Sequence, residues 1–233
     1  MILIASPFSL AHLEYLNTWH ANIKNIAQQH GLDIKVAIVV SKTHLNNFLP
    51  FSTALNIECI TFPGCGIKEI DLLWARIKLF QHYCAIGARL LWLVSADIRP
   101  SVSTWPAIAD SLKKGADAVV VPYPSQWNNL IPTVIKEIVV HQKKCLVAVD
   151  AHHLDTDTQI VGAGMGCIVL TLKALMVRLS IGKQPIKILW PDLHGTAEGI
   201  PLEGVEVGWF LNAYAHKLNI RCLGAEHIAQ HLN

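Results

Sequence analysis

Apolar residues in the first half of the chain form short continuous runs that alternate with longer segments of helical periodicity. The continuous runs lie at 2–5, 34–40, 57–62, 90–94 and 118–121. Such runs are typical of strands that are covered on both faces. The periodic segments lie at 10–30, 41–49, 69–86 and 103–114 and predict helices, the second ending before Pro50. Strands that alternate with helices predict right-handed crossovers and a mostly parallel sheet.

The second half has a different pattern, which predicts a mixed arrangement of strands and helices. Two β-rich runs at 133–140 and 145–149 flank a polar tetrapeptide and predict a hairpin. A glycine-rich turn at 162–166 leads into an apolar run at 167–170. The remaining expected elements are helices at 172–179 and 203–216 and strands at 186–190 and 220–223. The sequence therefore predicts an α/β fold with a mostly parallel central sheet and a mixed second half.

The composition limits the class of protein and its partners. Hydrophobic residues make up 52% of the 233 residues and charged residues only 15%, so a buried sheet, an oligomer interface or a membrane surface must cover much apolar area. No run reaches the roughly 18 consecutive apolar residues of a membrane span. Peripheral membrane contact and a homo-oligomer both stay open as interpretations. The net charge of +2, without a basic run, does not favour nucleic acid as a partner.

The cysteines and the N-terminus favour a cytoplasmic location. The six cysteines are scattered and form no Cys-x-x-Cys pair, which is typical of reduced thiols in a cytoplasmic protein. The first residues lack a basic segment and are interpreted as a core strand, not as a signal peptide.

The most informative chemistry surrounds the end of the apolar run 90–94. This run is followed by Ser95-Ala96-Asp97 and then by Arg99, and the preceding helix carries Arg76. Ligands of open α/β sheets bind outside the carboxyl ends of the strands. A carboxylate suits a hard divalent cation, and an arginine fork suits a diphosphate. We expect a ligand site here, the alternative being that Asp97 only caps a turn.

This order of helix, strand and acidic turn resembles the core of GT-A type glycosyltransferases. In that family an Ala-Arg-Asn-like helix precedes a strand that ends in Asp-x-Asp. The resemblance covers most of the chain, from about Met1 to His231. It implies a single-domain, three-layer α/β/α fold over 1–233, with a nucleotide-binding half at 1–122 and an acceptor-side half at 123–233.

The resemblance also implies the ligands of the site. The donor would be a nucleotide-diphospho-sugar, and Mn²⁺ or Mg²⁺ would bridge its two phosphates. Donor binding would involve the following residues: Arg76, Ser95, Ala96, Asp97 and Arg99. Ser95 stands where the first acid of the family motif is usual, so we expect weak metal dependence.

Two segments of the second half extend the resemblance. The family has a Gly-x-Gly segment before an apolar strand, here Gly164 and Gly166, where the backbone approaches the donor sugar and acceptor. The segment 201–220 resembles the family's Glu-Asp segment, whose acid takes the proton from the acceptor hydroxyl. Counting back from Phe210 places Glu206 at that acid, and Glu203 and Asp192 are the other candidates. A helix N-terminus enriched in acidic residues would explain the same pattern.

Histidines near the C-terminus complete the implied site. Many family members place a metal-binding histidine there, and His231 and His227 are the candidates in this chain. His231 fits the distance from the last predicted strand better. Two exposed histidines on a frayed tail are the alternative interpretation.

The function that this resemblance implies is transfer of a sugar to an unknown hydroxyl acceptor, which is a glycan, a lipid or a small molecule. Two alternatives stay open at this point. The first is a catalytically inactive GT-A-like module that binds a nucleotide sugar or a glycan. The second is a scaffold or assembly protein that retains the fold for its surface.

Overall fold

The computed structural model describes residues 1–124, 133–140, 143–154, 157–177, 179, 182–189 and 196–232. The strands are β1 (Ile2–Pro7), β2 (Ile34–Ser41), β3 (Glu58–Phe62), β4 (Leu90–Val94), β5 (Ile98–Arg99), β6 (Ala118–Val120), β7 (Thr133–Val140), β8 (Lys143–Asp150), β9 (Thr158–Ile160), β10 (Gly162–Ala163), β11 (Cys167–Thr171), β12 (Gly182–Leu189), β13 (Thr196–Gly204), β14 (Ile220–Cys222) and β15 (Gln230–His231). The α-helices are α1 (Leu16–Gln29), α2 (Leu45–Leu55), α3 (Lys68–Ala85), α4 (Thr104–Lys113), α5 (Leu172–Leu175) and α6 (Val205–Ala215).

An eight-stranded sheet with the order β3-β2-β1-β4-β11-β6-β14-β9 forms the centre of the described chain. Six of its strands run in the same direction, and β11 and β9 run in the opposite direction. The predicted α/β class with a mostly parallel sheet is therefore confirmed. Strand β11 is antiparallel to both of its neighbours, β4 and β6, and separates them.

Helices cover both faces of this sheet, because side chains of its strands alternate between two buried clusters. Leu3 and Ala5 of β1 belong to one cluster, which includes Leu79 of α3 and Trp209 of α6. Ile2 and Ile4 belong to the other cluster, with Trp19 of α1 and Ile108 of α4. The two clusters produce the three layers that the resemblance to GT-A enzymes implies, with the strands of continuous apolar runs covered on both faces.

A second sheet, with the order β10-β7-β8-β12-β13, is built from the later part of the chain. Strands β7 and β8 form the predicted hairpin, with Thr133 opposite Asp150. Helix α6 packs against β10, β12 and β13 of this sheet and also contacts α3. The second sheet and α3 therefore fix the position of α6 beside the large sheet.

The structure corrects three predicted elements. Helix α2 continues through Pro50 to Leu55, because Phe48 and Ser52 are buried and Asn56 ends the helix in the left-handed conformation. Tertiary packing thus outweighs the backbone hydrogen bond that proline removes. The helix predicted at 172–179 is only the short α5 (Leu172–Leu175), and Glu203 belongs to strand β13 and not to the following helix.

No helix of the described residues has both the length and the apolar character that crossing a membrane requires.

Candidate functional site

The carboxyl end of β4 meets the beginning of β11 at one edge of the large sheet. Val94, the last residue of β4, pairs with Cys167, the first residue of β11. The chain then turns through residues 95–97, with the Ile98 amide donating to the Ser95 carbonyl at 3.0 Å. Within this turn the Ala96 side chain is buried, whereas 24% of the Asp97 side-chain surface is exposed. The turn therefore presents one carboxylate at the strand end.

Arg99 supports this turn from the inside. Its Nη1 donates to the carbonyl oxygens of Ala96 at 2.7 Å and Ile98 at 2.9 Å, and its Nη2 donates to the Tyr15 carbonyl at 3.3 Å. Burial lowers the pKa of the guanidinium, and the nearby charge of Asp97 acts in the opposite direction. These bonds hold the turn, and within the described residues Arg99 Nε is buried without a hydrogen-bond partner, so contact between Arg99 and a donor stays a prediction.

The C-terminal segment returns to the same turn. Strand β15 pairs with β5, and the Leu232 amide donates to the Asp97 carbonyl at 2.8 Å. This pairing places His231 Nε2 at 3.3 Å from Asp97 Oδ2. His227 lies elsewhere, with its Nε2 at 3.6 Å from Glu226 Oε1. Of the two histidine candidates, the structure thus brings His231 to the acidic turn.

Asp97 and His231 are the two candidate metal ligands that the structure brings together at the turn. Among the described residues no group of three or more His, Cys, Asp or Glu side chains could hold a metal ion. One carboxylate and one imidazole leave most positions around a Mg²⁺ or Mn²⁺ ion to phosphate oxygens and water.

Arg76 of α3 forms a largely buried ion pair with Glu206, which lies in the first turn of α6. Arg76 Nη2 donates to Glu206 Oε1 at 2.6 Å. The Arg76 side chain is only 6% exposed, whereas Glu206 is 33% exposed. Within the described residues Arg76 Nη1 is buried without a hydrogen-bond partner. A buried guanidinium that has an unused donor is suited to bind a further anionic oxygen.

The ion pair sets the protonation of Glu206. Burial of the carboxyl raises its pKa, but the charge of Arg76 and the hydrogen bond from it outweigh burial, so the pKa lies below its ordinary value. Glu206 is therefore ionised at neutral pH. A partner that draws Arg76 away from it would leave a largely buried carboxylate with greater affinity for a proton.

Tyr123, which the sequence did not single out, contacts the glycine segment that precedes β11. Its hydroxyl accepts a hydrogen bond from the Gly166 amide at 3.0 Å, and the Gly166 carbonyl accepts one from the Ser95 amide at 2.6 Å. A Cβ atom on Gly164 would overlap the Tyr123 hydroxyl, and one on Gly166 would lie 2.6 Å from Tyr123 Cζ. The two glycines therefore make room for the Tyr123 ring.

The environment of Tyr123 connects it with Glu206 and Arg76. Burial raises the pKa of the Tyr123 phenol first, the charge of Glu206 raises it further, and Arg76 acts in the opposite direction. Tyr123 follows the strand end at β6 just as Asp97 follows β4. This position after a strand end is the feature of the sequence from which Tyr123 could have been predicted as a site residue. An aromatic residue at such a position is, however, more often part of the core.

The two other acidic candidates stay predictions. Glu203 lies in β13, where its backbone pairs with that of Lys183 in β12. Asp192 lies outside the described residues.

Replacing Glu206 by alanine should destabilise the fold, because it leaves the Arg76 guanidinium buried and unpaired. Breaking a buried ion pair in this way costs about 3 kcal/mol. Asp110→Ala is the control, since it removes an exposed ion pair with Lys114 that contributes little to stability. Urea unfolding at neutral pH measures both variants, and equal losses would contradict the assignment.

The stabilisation from Glu206 should depend on pH in a defined direction. Because the folded pKa is lowered, the contribution is fully present above the unfolded value of about 4.3 and is lost as the pH falls through the folded value. The difference in unfolding free energy between wild type and Glu206→Ala should therefore shrink below about pH 4. A difference that grows on acidification would mean that the fold does not favour the carboxylate.

Two solved structures resemble the fold of this chain to a similar degree. The chain resembles TarS 1-349 of S. aureus at 11% identity and a TM-score of 0.52, over 99% of this chain and 60% of that one. It resembles a variant of UDP-glucose pyrophosphorylase from Leishmania major in complex with UDP-glucose at 8% identity and a TM-score of 0.51, over 97% of this chain and 62% of that one. These similarities concern the fold, and this chain spans about three fifths of each of the two structures.

Sequence comparison gives close relatives over the full length of the chain. No protein-family model matches it. A protein of African swine fever virus isolate Pig/Kenya/KEN-50/1950 is 96% identical over 233 residues, which is 100% of both chains. Its counterpart in isolate Tick/South Africa/Pretoriuskop Pr4/1996 is 95% identical over 232 residues, again 100% of both chains. The chain therefore belongs to this family of African swine fever virus proteins.

Proposed function

We propose that this chain is a glycosyltransferase that transfers a sugar from a nucleotide-diphospho-sugar to a hydroxyl acceptor. The observation that supports the proposal most strongly is the Arg76–Glu206 pair at 2.6 Å, because it combines a buried cation with an unused donor and a carboxylate. The cation is suited to the diphosphate and the carboxylate to the acceptor proton. Asp97 follows the carboxyl end of β4, and open α/β sheets bind their ligands outside the carboxyl ends of their strands.

Donor binding would use the acidic turn and Arg76 together. Asp97 and His231, 3.3 Å apart, would hold a Mn²⁺ or Mg²⁺ ion together with oxygens of the diphosphate. Such an ion neutralises negative charge on a leaving diphosphate. A phosphate oxygen would take the unused Nη1 donor of Arg76, which weakens the attraction between Arg76 and Glu206.

Glu206 would act as the general base. The acceptor hydroxyl oxygen forms a bond to the sugar carbon while the bond from that carbon to the diphosphate oxygen breaks. The nucleoside diphosphate leaves with the electron pair, and the hydroxyl proton goes to the Glu206 carboxylate. Because Glu206 is largely buried, loss of its pairing with Arg76 would raise its pKa and improve it as a base.

A binding module without catalysis is the second candidate function. It is favoured by Ser95, which supplies a neutral hydroxyl where a second carboxylate would strengthen a metal site, and by the pairing of Glu206 with Arg76. This module would bind a nucleotide sugar or a glycan without transferring the sugar. Measured sugar transfer distinguishes the two candidates, whereas a scaffold protein would show neither binding nor transfer.

Nucleoside diphosphates with Mn²⁺ should raise the thermal unfolding midpoint, because ligands that bind only the folded state stabilise it. Ser95→Asp should tighten Mn²⁺ binding in the presence of the diphosphate, since it adds a charged oxygen ligand to the turn. Isothermal titration calorimetry of both proteins measures the difference. Unchanged or weaker binding in Ser95→Asp would mean that Ser95 is not at the metal position.

Glu206→Gln should lower the transfer rate by about 10²–10⁴-fold, the usual contribution of a positioned general base, with donor affinity little changed. Glu69→Gln is the matched control, because Glu69 is an exposed glutamate in the first turn of α3. Initial rates of product formation from a radiolabelled nucleotide sugar measure both variants. Full activity in Glu206→Gln, or loss of activity only in Glu203→Gln, would mean that another residue is the general base.

A further inference from the structure

Tyr123 has three features that play no part in the proposed reaction. Its ring fills the space beside Gly164 and Gly166, and its hydroxyl accepts a hydrogen bond from the Gly166 amide. Its phenol also lies close enough to Glu206 and Arg76 for their charges to shift its pKa. Tyr123 therefore contacts the glycine segment and is close enough to the ion pair to respond to its charges.

Hydrogen bonds continue from Tyr123 to the acidic turn. The Gly166 amide donates to the Tyr123 hydroxyl at 3.0 Å, and on the other side of the same Cα atom the Gly166 carbonyl accepts from the Ser95 amide at 2.6 Å. Ser95 opens the turn that carries Asp97. A displacement of Gly166 would therefore move the backbone from which the Asp97 carboxylate is presented.

The segment around Tyr123 is itself held on two further sides. The Val121 amide donates to the Cys167 carbonyl at 2.9 Å, and the Pro122 carbonyl accepts from the Ala229 amide at 2.8 Å. The second of these bonds joins the residue before Tyr123 to the C-terminal segment that brings His231 to Asp97. Tyr123 thus lies where the glycine segment, the acidic turn and the C-terminal segment meet.

We infer that Tyr123 is a positioning residue, whose hydroxyl fixes the glycine segment and, through it, holds the Ser95–Asp97 turn in the geometry that binds a diphosphate. The identity of the ligand in this inference rests on the proposed function. The effect of Tyr123 on the turn does not, because it concerns the protein without a ligand. The residue acts through the backbone of Gly166 and does not need to contact the ligand.

Tyr123→Phe tests the inference with little change in shape, because phenylalanine retains the ring that fills the space beside the glycines. Tyr83→Phe is the matched control: the Tyr83 hydroxyl also makes a part-buried hydrogen bond at 3.0 Å, to the Arg89 carbonyl that precedes β4. Both variants lose one hydrogen bond, so thermal unfolding should show a similar small loss of stability in each.

Amide hydrogen exchange of the free protein, followed by NMR, measures the structural part. The Ser95 amide is the decisive reporter, because it bonds to Gly166 and not to Tyr123 itself. Its exchange should accelerate by about tenfold in Tyr123→Phe and stay unchanged in Tyr83→Phe. Gly166→Ala should accelerate Ser95 exchange as well. In that variant the tyrosine is unchanged, but the added Cβ atom would displace its ring from the glycine segment. Unchanged Ser95 exchange in Tyr123→Phe would overturn the inference.

Calorimetric titration with uridine diphosphate and guanosine diphosphate, each with Mn²⁺, measures the functional part. For the diphosphate that wild type binds, affinity should fall about three- to tenfold in Tyr123→Phe and remain at the wild-type value in Tyr83→Phe. Equal affinity in wild type and Tyr123→Phe would overturn the inference even if Ser95 exchange changed. If wild type binds neither diphosphate, the proposed function is wrong, while faster Ser95 exchange would still support the control of the turn by Tyr123.

Discussion

Strand β11 enters the large sheet antiparallel between β4 and β6, and this insertion determines where a ligand site can lie. The side chains of Cys167, Ile168, Val169 and Leu170 are completely buried, so the strand cannot shift without exposing apolar surface on both faces. Because β11 runs against its neighbours, its first residue meets the carboxyl end of β4. The glycine segment that precedes β11 is therefore held against the Ser95–Asp97 turn.

Two contacts between side chains join distant parts of the chain at this edge. The Arg76–Glu206 pair joins α3 to α6, and the Asp97–His231 pair joins the turn to the C-terminal segment. A buried guanidinium is costly without a partner, so Glu206 stabilises the protein whether or not it takes part in a reaction. The same pair can respond to a ligand, since an anionic oxygen at Arg76 competes with the carboxylate.

The fold was predictable where burial alone decides the pattern. The continuous apolar runs of β1, β2 and β4 identify strands covered on both faces, and the alternation with helices predicts the mostly parallel sheet. Prediction failed where contacts distant in the chain decide the structure. Helix α2 continues through Pro50 because Phe48 and Ser52 pack in the interior, and β13 exists through its pairing with β12, which no local pattern encodes.

The sequence by itself determined that a carboxylate follows β4 and that Arg76 lies on the preceding helix, because both facts depend only on local order along the chain. Only the tertiary structure decided the partners of these groups. It directed the fork of Arg99 to backbone carbonyls, paired Arg76 with Glu206 and placed Tyr123 on the glycines. The physical reason is that buried donors and charges must be satisfied by whatever groups the packed helices and strands bring within reach. Those groups come from segments far apart in the chain, so their pairing is fixed only when the sheet and its helices have assembled.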